Sequence, residues 1–264
     1  MNDFSVIAIF KNESHILDEW ITHYLNQGAS QILLTDNNSN DNWRAKLRPS
    51  YLDDDRIKFF EDKRFKPQIR SYNERINSVT SEWALIVDLD EFMYAKNEFK
   101  TLDQYLNTIP SDISVIKVPW KLFGSSGFIK QPDKVVPNFV ERLQNPPEGA
   151  RTMGKYFVRK SMVNKLYLHF ADIKAGEVIN CNGSSEVFNN LWLYVTEQML
   201  DTDPVNLNHY WTQSRDQFIH VKIRRGGGHS RKTLTGKRGA FVRNFSKRDY
   251  KGVIDTELNN IKKT

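Results

Sequence analysis

The chain has 264 residues, 39% hydrophobic and 12% aromatic, with a formal net charge of +6. That length buries a sizeable core, and that composition excludes a disordered chain. The single cysteine, Cys181, excludes an internal disulfide and argues against a thiolate zinc site, while no run reaches the ~20 apolar residues of a membrane span.

The opening residues enter a strand without the basic and apolar regions of a signal peptide, so the expectation is a soluble, cytoplasmic chain. Residues 5–10 read as a buried strand. Ile16, Leu17, Trp20, Ile21, Tyr24 and Leu25 then repeat at helical spacing until Gly28, and residues 31–35 form a second strand closed by turn formers from Asp36 to Asp41. Strand, helix, strand predicts a right-handed βαβ unit. Residues 56–61 predict a third strand, and 68–79 a helix with Ile69, Tyr72, Ile76 and Val79 on one face.

Leu85, Ile86 and Val87 read as a strand buried on both faces that delivers Asp88, Asp90 and Glu91 to its carboxyl end. Ligands bind at that edge of open α/β sheets. An Asp-x-Asp pair there suits Mg²⁺ or Mn²⁺, because these hard cations take oxygen ligands and leave positions for phosphates. Three acids in four residues also repel one another unless a cation offsets them. The first ninety residues thus read as a nucleotide-binding half of the doubly wound, Rossmann-like type.

From Ile113 the pattern changes. Residues 113–118, 155–159 and 165–170 alternate like strands with one exposed face, predicting a smaller, partly antiparallel extension that shapes an acceptor pocket. Residues 205–211 predict a strand carrying His209. Ser214 and Gln217 form a capping-box pair before a helix that Gly226–Gly228 would end, freeing the following chain to act as a lid. The organisation expected is one domain over 1–264: a nucleotide-sugar half (1–112), an acceptor-side half (113–212) and a basic helix and tail (213–264). From Lys222 to Lys251 eleven Lys and Arg face only Asp249, a net +10 that leaves −4 for the remainder. Such a segment predicts an anionic partner.

Lys11-Asn12-Glu13, Glu19-Trp20-Ile21-Thr22-His23-Tyr24, Gly28, Asp36-Asn37-Asn38-Ser39, and Trp83 with Asp88-Leu89-Asp90-Glu91-Phe92 occur in series. Trp120, Phe123-Gly124-Ser125-Ser126-Gly127, His169, His209-Tyr210, Ser214, Phe218 and Lys222 follow. In order and spacing this series resembles glycosyltransferase family 92 and its family-2-like neighbours. The resemblance implies a GT-A fold with a mixed central sheet, and transfer of a sugar from a nucleotide diphosphate, a UDP-sugar foremost, to an acceptor hydroxyl with inversion. It implies Mn²⁺ or Mg²⁺ held by Asp90, with Asp88 near the ribose or bound through water, and with His209 as a further ligand. Imidazole suits Mn²⁺ better than Mg²⁺.

The resemblance also places the nucleobase and ribose at Asn12, Glu13, Asp36 and Asn37, within reach of Arg70 and Asn73. Lys222, Arg224 and Arg225 are candidates for the departing diphosphate. Gly124, Ser125, Ser126 and His169 are candidates for acceptor contacts, and Glu91, Glu141, Asp172 and Glu177 for the base, with no spacing rule to choose among them. The acceptor expected is a glycan or lipid-linked glycan, anionic in character, as in polysaccharide or lipopolysaccharide assembly, met at the inner membrane surface through the basic segment. A nucleotidyltransferase acting on a sugar phosphate would carry a Gly-rich loop where Lys11-Asn12-Glu13 stands. A nucleic-acid binder would interleave aromatics with the basic run, where Phe241, Phe245 and Tyr250 stand alone.

Overall fold

The computed structural model describes residues 3–146, 148–186, 191–222 and 245–261. In chain order the elements are β1 (Phe4–Phe10), α1 (Ser14–Asn26), β2 (Ala29–Asp36), α2 (Trp43–Lys46), β3 (Ile57–Glu61), α3 (Gln68–Arg75), β4 (Trp83–Ile86), β5 (Glu91–Ala95), α4 (Leu102–Leu106) and β6 (Ile113–Leu122). There follow β7 (Glu141–Leu143), β8 (Ala150–Thr152), β9 (Gly154–Arg159), β10 (Val163–Leu166), β11 (Ala171–Ile173), β12 (Glu177–Asn180), β13 (Leu193–Val195), α5 (Glu197–Thr202), β14 (Val205–His209), α6 (Arg215–Gln217), β15 (Gly252–Ile254) and α7 (Glu257–Ile261). No described helix is long and apolar enough to cross a membrane.

The main sheet runs β3-β2-β1-β4-β9-β6-β14-β5, with β12 joined to β6. Strands β3, β2, β1 and β4 are mutually parallel, whereas β9 lies antiparallel between β4 and β6. This is the mixed α/β sheet expected, with a Rossmann-like parallel half. Its parallel strands are covered on both faces, so Val6, Ile7, Leu33, Leu34, Leu85 and Ile86 are fully buried. Helix α1 buries Ile16, Leu17, Trp20, Ile21 and Tyr24 on its apolar face. Asp41 accepts from the Ser14 N–H at 2.8 Å and satisfies one orphan donor at the start of that helix. At its end Gly28 takes φ +87°, and a side chain there would collide with Asp103.

The chain forms two compact units, Met1–Trp120 with Asn145–Leu207, and Lys121–Gln144 with Asn208–Thr264. In the second, Phe123, Val136, Phe139, Tyr210 and Leu258 are buried. A polar knot ties it: Asp255 accepts from Lys121 at 2.9 Å and Arg142 at 2.7 Å, while Lys121 also meets Glu257 at 2.9 Å. Burial pushes the Asp255 carboxyl up, but the two cations outweigh it and hold it down at about 2.

Three sequence expectations are corrected. Residues 113–118 and 155–159 have no exposed face, because β6 and β9 are interior strands whose lysines and arginine are buried: Lys117, Lys155 and Arg159 are 1%, 1% and 5% exposed. Their charged ends find partners within the protein, as when Arg159 donates to the carbonyls of Ile113 and Pro110. Residues 165–170 are not one strand. Lys165 and Leu166 end β10, and residues 167–170 form the turn to β11, where the Tyr167 N–H donates to the Phe170 carbonyl at 2.9 Å and the two rings stack at 4.5 Å. Aromatic residues at a turn mimic a strand in the sequence. Finally, helix α3 stops at Arg75, and a 3₁₀ turn, Ile76–Ser78, completes the predicted span.

Candidate active site

Strand β4 ends in the core, and the chain turns through Asp88, Leu89 and Asp90 before β5. The turn is closed by the Glu91 N–H donating to the Asp88 carbonyl at 3.1 Å and by the Glu91 carboxyl accepting from the Asp88 N–H at 2.7 Å. Helix α1 clamps it. The Trp20 indole donates to the carbonyls of Asp88 and Glu91, and the Tyr24 hydroxyl donates to that of Glu91, all at 3.1 Å. The Glu19-Trp20 and His23-Tyr24 signals of the sequence therefore fix the carboxylate turn.

The Asp88 side chain is saturated with donors. Its Oδ1 accepts from Gln68 Nε2 at 2.8 Å and the Tyr72 hydroxyl at 3.1 Å, and its Oδ2 from Lys155 Nζ at 2.8 Å. Lys155 also stands 3.6 Å from Glu91, and both of these side chains are fully buried. Burial opposes ionisation of Asp88, but Lys155 outweighs it, and His169 adds to the effect, so its carboxyl lies below the ordinary range. Glu91 goes the other way. Burial pushes its carboxyl well above the usual carboxylate range, with Asp88 and Asp90 adding to the push. Its Oε1 has no hydrogen bond among the described residues, a smaller penalty for a neutral acid than for a carboxylate. The cation that the three acids call for is therefore supplied in part by Lys155, which no sequence pattern singled out.

The loops beside this turn are rigidly built. Asn12 takes φ +56°, its N–H donates to Ser39 Oγ at 2.9 Å and its Oδ1 accepts from the Asn40 N–H at 2.8 Å. Asp36 holds the Ser39 N–H at 2.9 Å and the Trp43 indole at 3.0 Å, while Glu13 is buried at the start of α1. Asn37 donates to the carbonyls of Asp62 and Arg64, joining the loops after β2 and β3. Asn73 instead bridges Ile69 and Leu166, tying α3 to β10.

Beyond Gln68 lies a cavity of about 570 Å³ whose wall includes Arg64, Lys66, Arg70, Asn73 and Lys165. No acidic residue lines it among the described residues, although Arg64 is already paired with Asp62 and Glu74. Lys66 takes φ +49°, a strained conformation for a long side chain, and its buried ammonium has no hydrogen-bond partner among the described residues. An anion would complete this wall. Of these cations the sequence pointed to Arg70 alone; the loop after β3 carries no periodicity that marks Arg64 or Lys66.

His169 accompanies the carboxylate turn, with Nδ1 3.0 Å from the Gly154 carbonyl and its ring edge-on to Trp120 at 5.3 Å. Asp172 faces Lys165 across the β10–β11 hairpin, and Glu177 is exposed at the start of β12. Within the second unit, His209 is buried edge-on to Trp211 at 5.4 Å, and Lys222 donates to the Trp211 carbonyl at 2.6 Å. The Ser214 hydroxyl accepts from the Gln217 N–H, so the expected cap is present. Glu141 begins β7 opposite Ile254. The close approach that Gly124 permits is to the backbone of Tyr250, and the Ser126 hydroxyl accepts from the N–H groups of Val140 and Glu141. The Ser125 N–H donates to Asp249 at 2.7 Å. These residues spend much of their bonding capacity holding the unit together. Arg224, Arg225 and Gly226–Gly228 lie outside the described residues.

Among the described residues no three His, Cys, Asp or Glu side chains gather as a metal-holding group. The donors that are present fit a cation of another kind: Mg²⁺ and Mn²⁺ are commonly held by one or two carboxylates and completed by substrate phosphates. Asp90, 4% exposed at the turn, supplies a hard oxygen donor of that type.

No curated protein sequence matches the chain. Among solved structures it is similar to the mannosyltransferase PcManGT from Pyrobaculum calidifontis in complex with GDP-Man and Mn²⁺, at 15% identity and a TM-score of 0.37, covering 44% of this chain and 34% of that one. It is also similar to S. aureus TarS (residues 1–349), at 13% identity and a TM-score of 0.41, covering 84% of this chain and 63% of that one. The chain therefore spans about a third of the length of the first and under two thirds of the second. Residues 5–248 match glycosyltransferase family 92, and the parallel β3-β2-β1-β4 half carrying the carboxylate turn agrees with the GT-A arrangement this family implied: the chain belongs to glycosyltransferase family 92.

Proposed function

We propose that the chain transfers a sugar from a nucleotide diphosphate, a UDP-sugar, to a hydroxyl of a glycan or lipid-linked glycan. The observation that carries this reading is the Asp88–Glu91 turn, pinned by α1 at the carboxyl end of β4 and tied through Gln68 to α3, whose Ile69, Arg70 and Asn73 line a cavity with Lys66 and Lys165.

Asp90 would hold Mn²⁺ or Mg²⁺, whose charge would offset that of the leaving diphosphate. Asp88, with both oxygens already accepting, orients the turn and faces the ribose. The Asn12, Glu13, Asp36 and Asn37 loops receive the nucleoside. Arg70, joined by Lys66 and Lys165, receives phosphate. His169 borders the acceptor.

Glu91 is the least suited of the candidate bases, because its side chain is fully buried and accepts from the Asp88 N–H at 2.7 Å. Asp172 and Glu141 remain as bases for an inverting transfer, and the configuration of the product, read by NMR, tests inversion. The reading as a whole is tested by nucleotide release from UDP-sugars with Mn²⁺ and a mixed glycan acceptor pool. Release lost in Asp90→Ala, with folding intact, is the expected result; an undiminished rate in that variant sinks the proposal.

A further inference from the structure

The ribbon of β8 and β13 carries an exposed aromatic face that the donor site does not use. Burial alternates along it: Leu193 and Val195 are 3% and 0% exposed, Trp192 and Tyr194 49% and 52%. Period-two alternation places Trp192 and Tyr194 on one face, and the antiparallel register sets exposed Arg151 opposite Tyr194. The Tyr194 ring is held in place. It lies against Gly149, where φ is +82° and a side chain would strike the ring, and its hydroxyl donates to the Glu148 carbonyl. A ring already ordered costs little to order again on binding.

The ribbon leads directly into the strand beside the candidate active site, since β8 is followed by β9, which carries Lys155. Inward-facing Leu193 packs where a side chain on Gly154 would stand, next to Lys155. Arg151 stands four positions before Lys155, at most about 14 Å of extended chain. Lys155 in turn holds Asp88 at 2.8 Å.

We propose that Trp192 and Tyr194 form a distal acceptor subsite that stacks on sugar rings of a glycan whose reacting end lies at the carboxylate turn. Arg151 gives that subsite a preference for sugars bearing an anionic group. The proposal rests on the sugar-transfer reading. A pyranose offers an apolar C–H face to an aromatic ring and hydroxyls at its edge to the polar tips of Trp, Tyr and Arg. Two rings with one guanidinium, beside exposed Glu148, suit a single chain of sugars better than an anionic bilayer, which a broader run of cations would meet.

The test is retention of the full-length labelled chain on an array of neutral and uronate-bearing oligosaccharides, with nucleotide-sugar thermal shifts measured in parallel. The double variant Trp192→Ala/Tyr194→Ala should lose about tenfold in retention. Trp192→Phe should keep most of it, and Arg151→Ala should lose the uronate preference only. The nucleotide-sugar shift should persist in all three, showing that they fold. Unchanged retention in the double variant overturns the subsite, as does a wild-type chain that ignores every glycan but sediments with phosphatidylglycerol vesicles. Retention that depends on both rings, in a chain with no nucleotide-sugar shift, supports the subsite and overturns the donor reading alone.

Discussion

At the scale of residues, the site turns on how Lys155 divides its charge between a half-buried acid, Asp88, and a fully buried one, Glu91. Lys155 holds the Asp88 carboxyl below the ordinary range while burial pushes that of Glu91 well above it, so removing each side chain has a different consequence. Lys155→Ala leaves Asp88 without its cation and should cost roughly 3–5 kcal/mol in urea denaturation. Glu91→Gln keeps the acceptor for the Asp88 N–H and removes a group that must take up a proton to fold above its unfolded pKa. A raised folded pKa in an acid weakens the fold increasingly as pH rises from that value. The Gln variant should therefore be at least as stable as the wild type at pH 8, with the advantage shrinking towards pH 4, and it should keep sugar transfer. Loss of transfer in a folded Glu91→Gln protein would return Glu91 to the chemistry.

At the scale of elements, the loop from β3 into α3 is where phosphate affinity should reside. Lys66→Ala with Arg70→Ala removes two cations from the cavity wall and should weaken UDP-sugar affinity by about tenfold or more in calorimetry, with little change in melting temperature, since Arg70 is exposed on α3 and the Lys66 ammonium has no hydrogen bond to lose among the described residues. In the second unit the link between β7, α7 and β6 is Asp255. Its depressed carboxyl stabilises above the unfolded value near 4, and this is lost as pH falls to about 2. Acid titration of the wild type should show that loss, about 2 kcal/mol in size, and Asp255→Asn should flatten it while lowering stability at pH 7. Much of this level was legible. The βαβ opening, the apolar face of α1 and the carboxylate turn followed directly from periodicity and punctuation. Lys117, Lys155 and Arg159 defeated the reading, because a lysine in a strand signals solvent unless its partner is known, and the partner of Lys155 lies 67 residues away.

At the scale of the whole molecule, the serial motifs led to the family because each marks a local necessity: Trp20 and Tyr24 clamp the turn, Gly28 closes a helix, Asp36 and Asn37 build a loop. The basic cavity and the aromatic ribbon were not legible. Both are assembled from residues distant in sequence, Arg64 with Lys165, and Arg151 with Tyr194, and no period announces them. The central claim is that the Asp88–Glu91 turn and its basic cavity bind a nucleotide diphosphate sugar together with a divalent cation. The most direct measurement is the thermal shift given by UDP-sugars in Mn²⁺ and in EDTA, for the wild type and Asp90→Asn, since a ligand specific to the native state raises its melting temperature. A shift of the wild type in Mn²⁺ that vanishes in EDTA and in Asp90→Asn is the result predicted. Equal shifts in all conditions, or none with any nucleotide sugar, would contradict it.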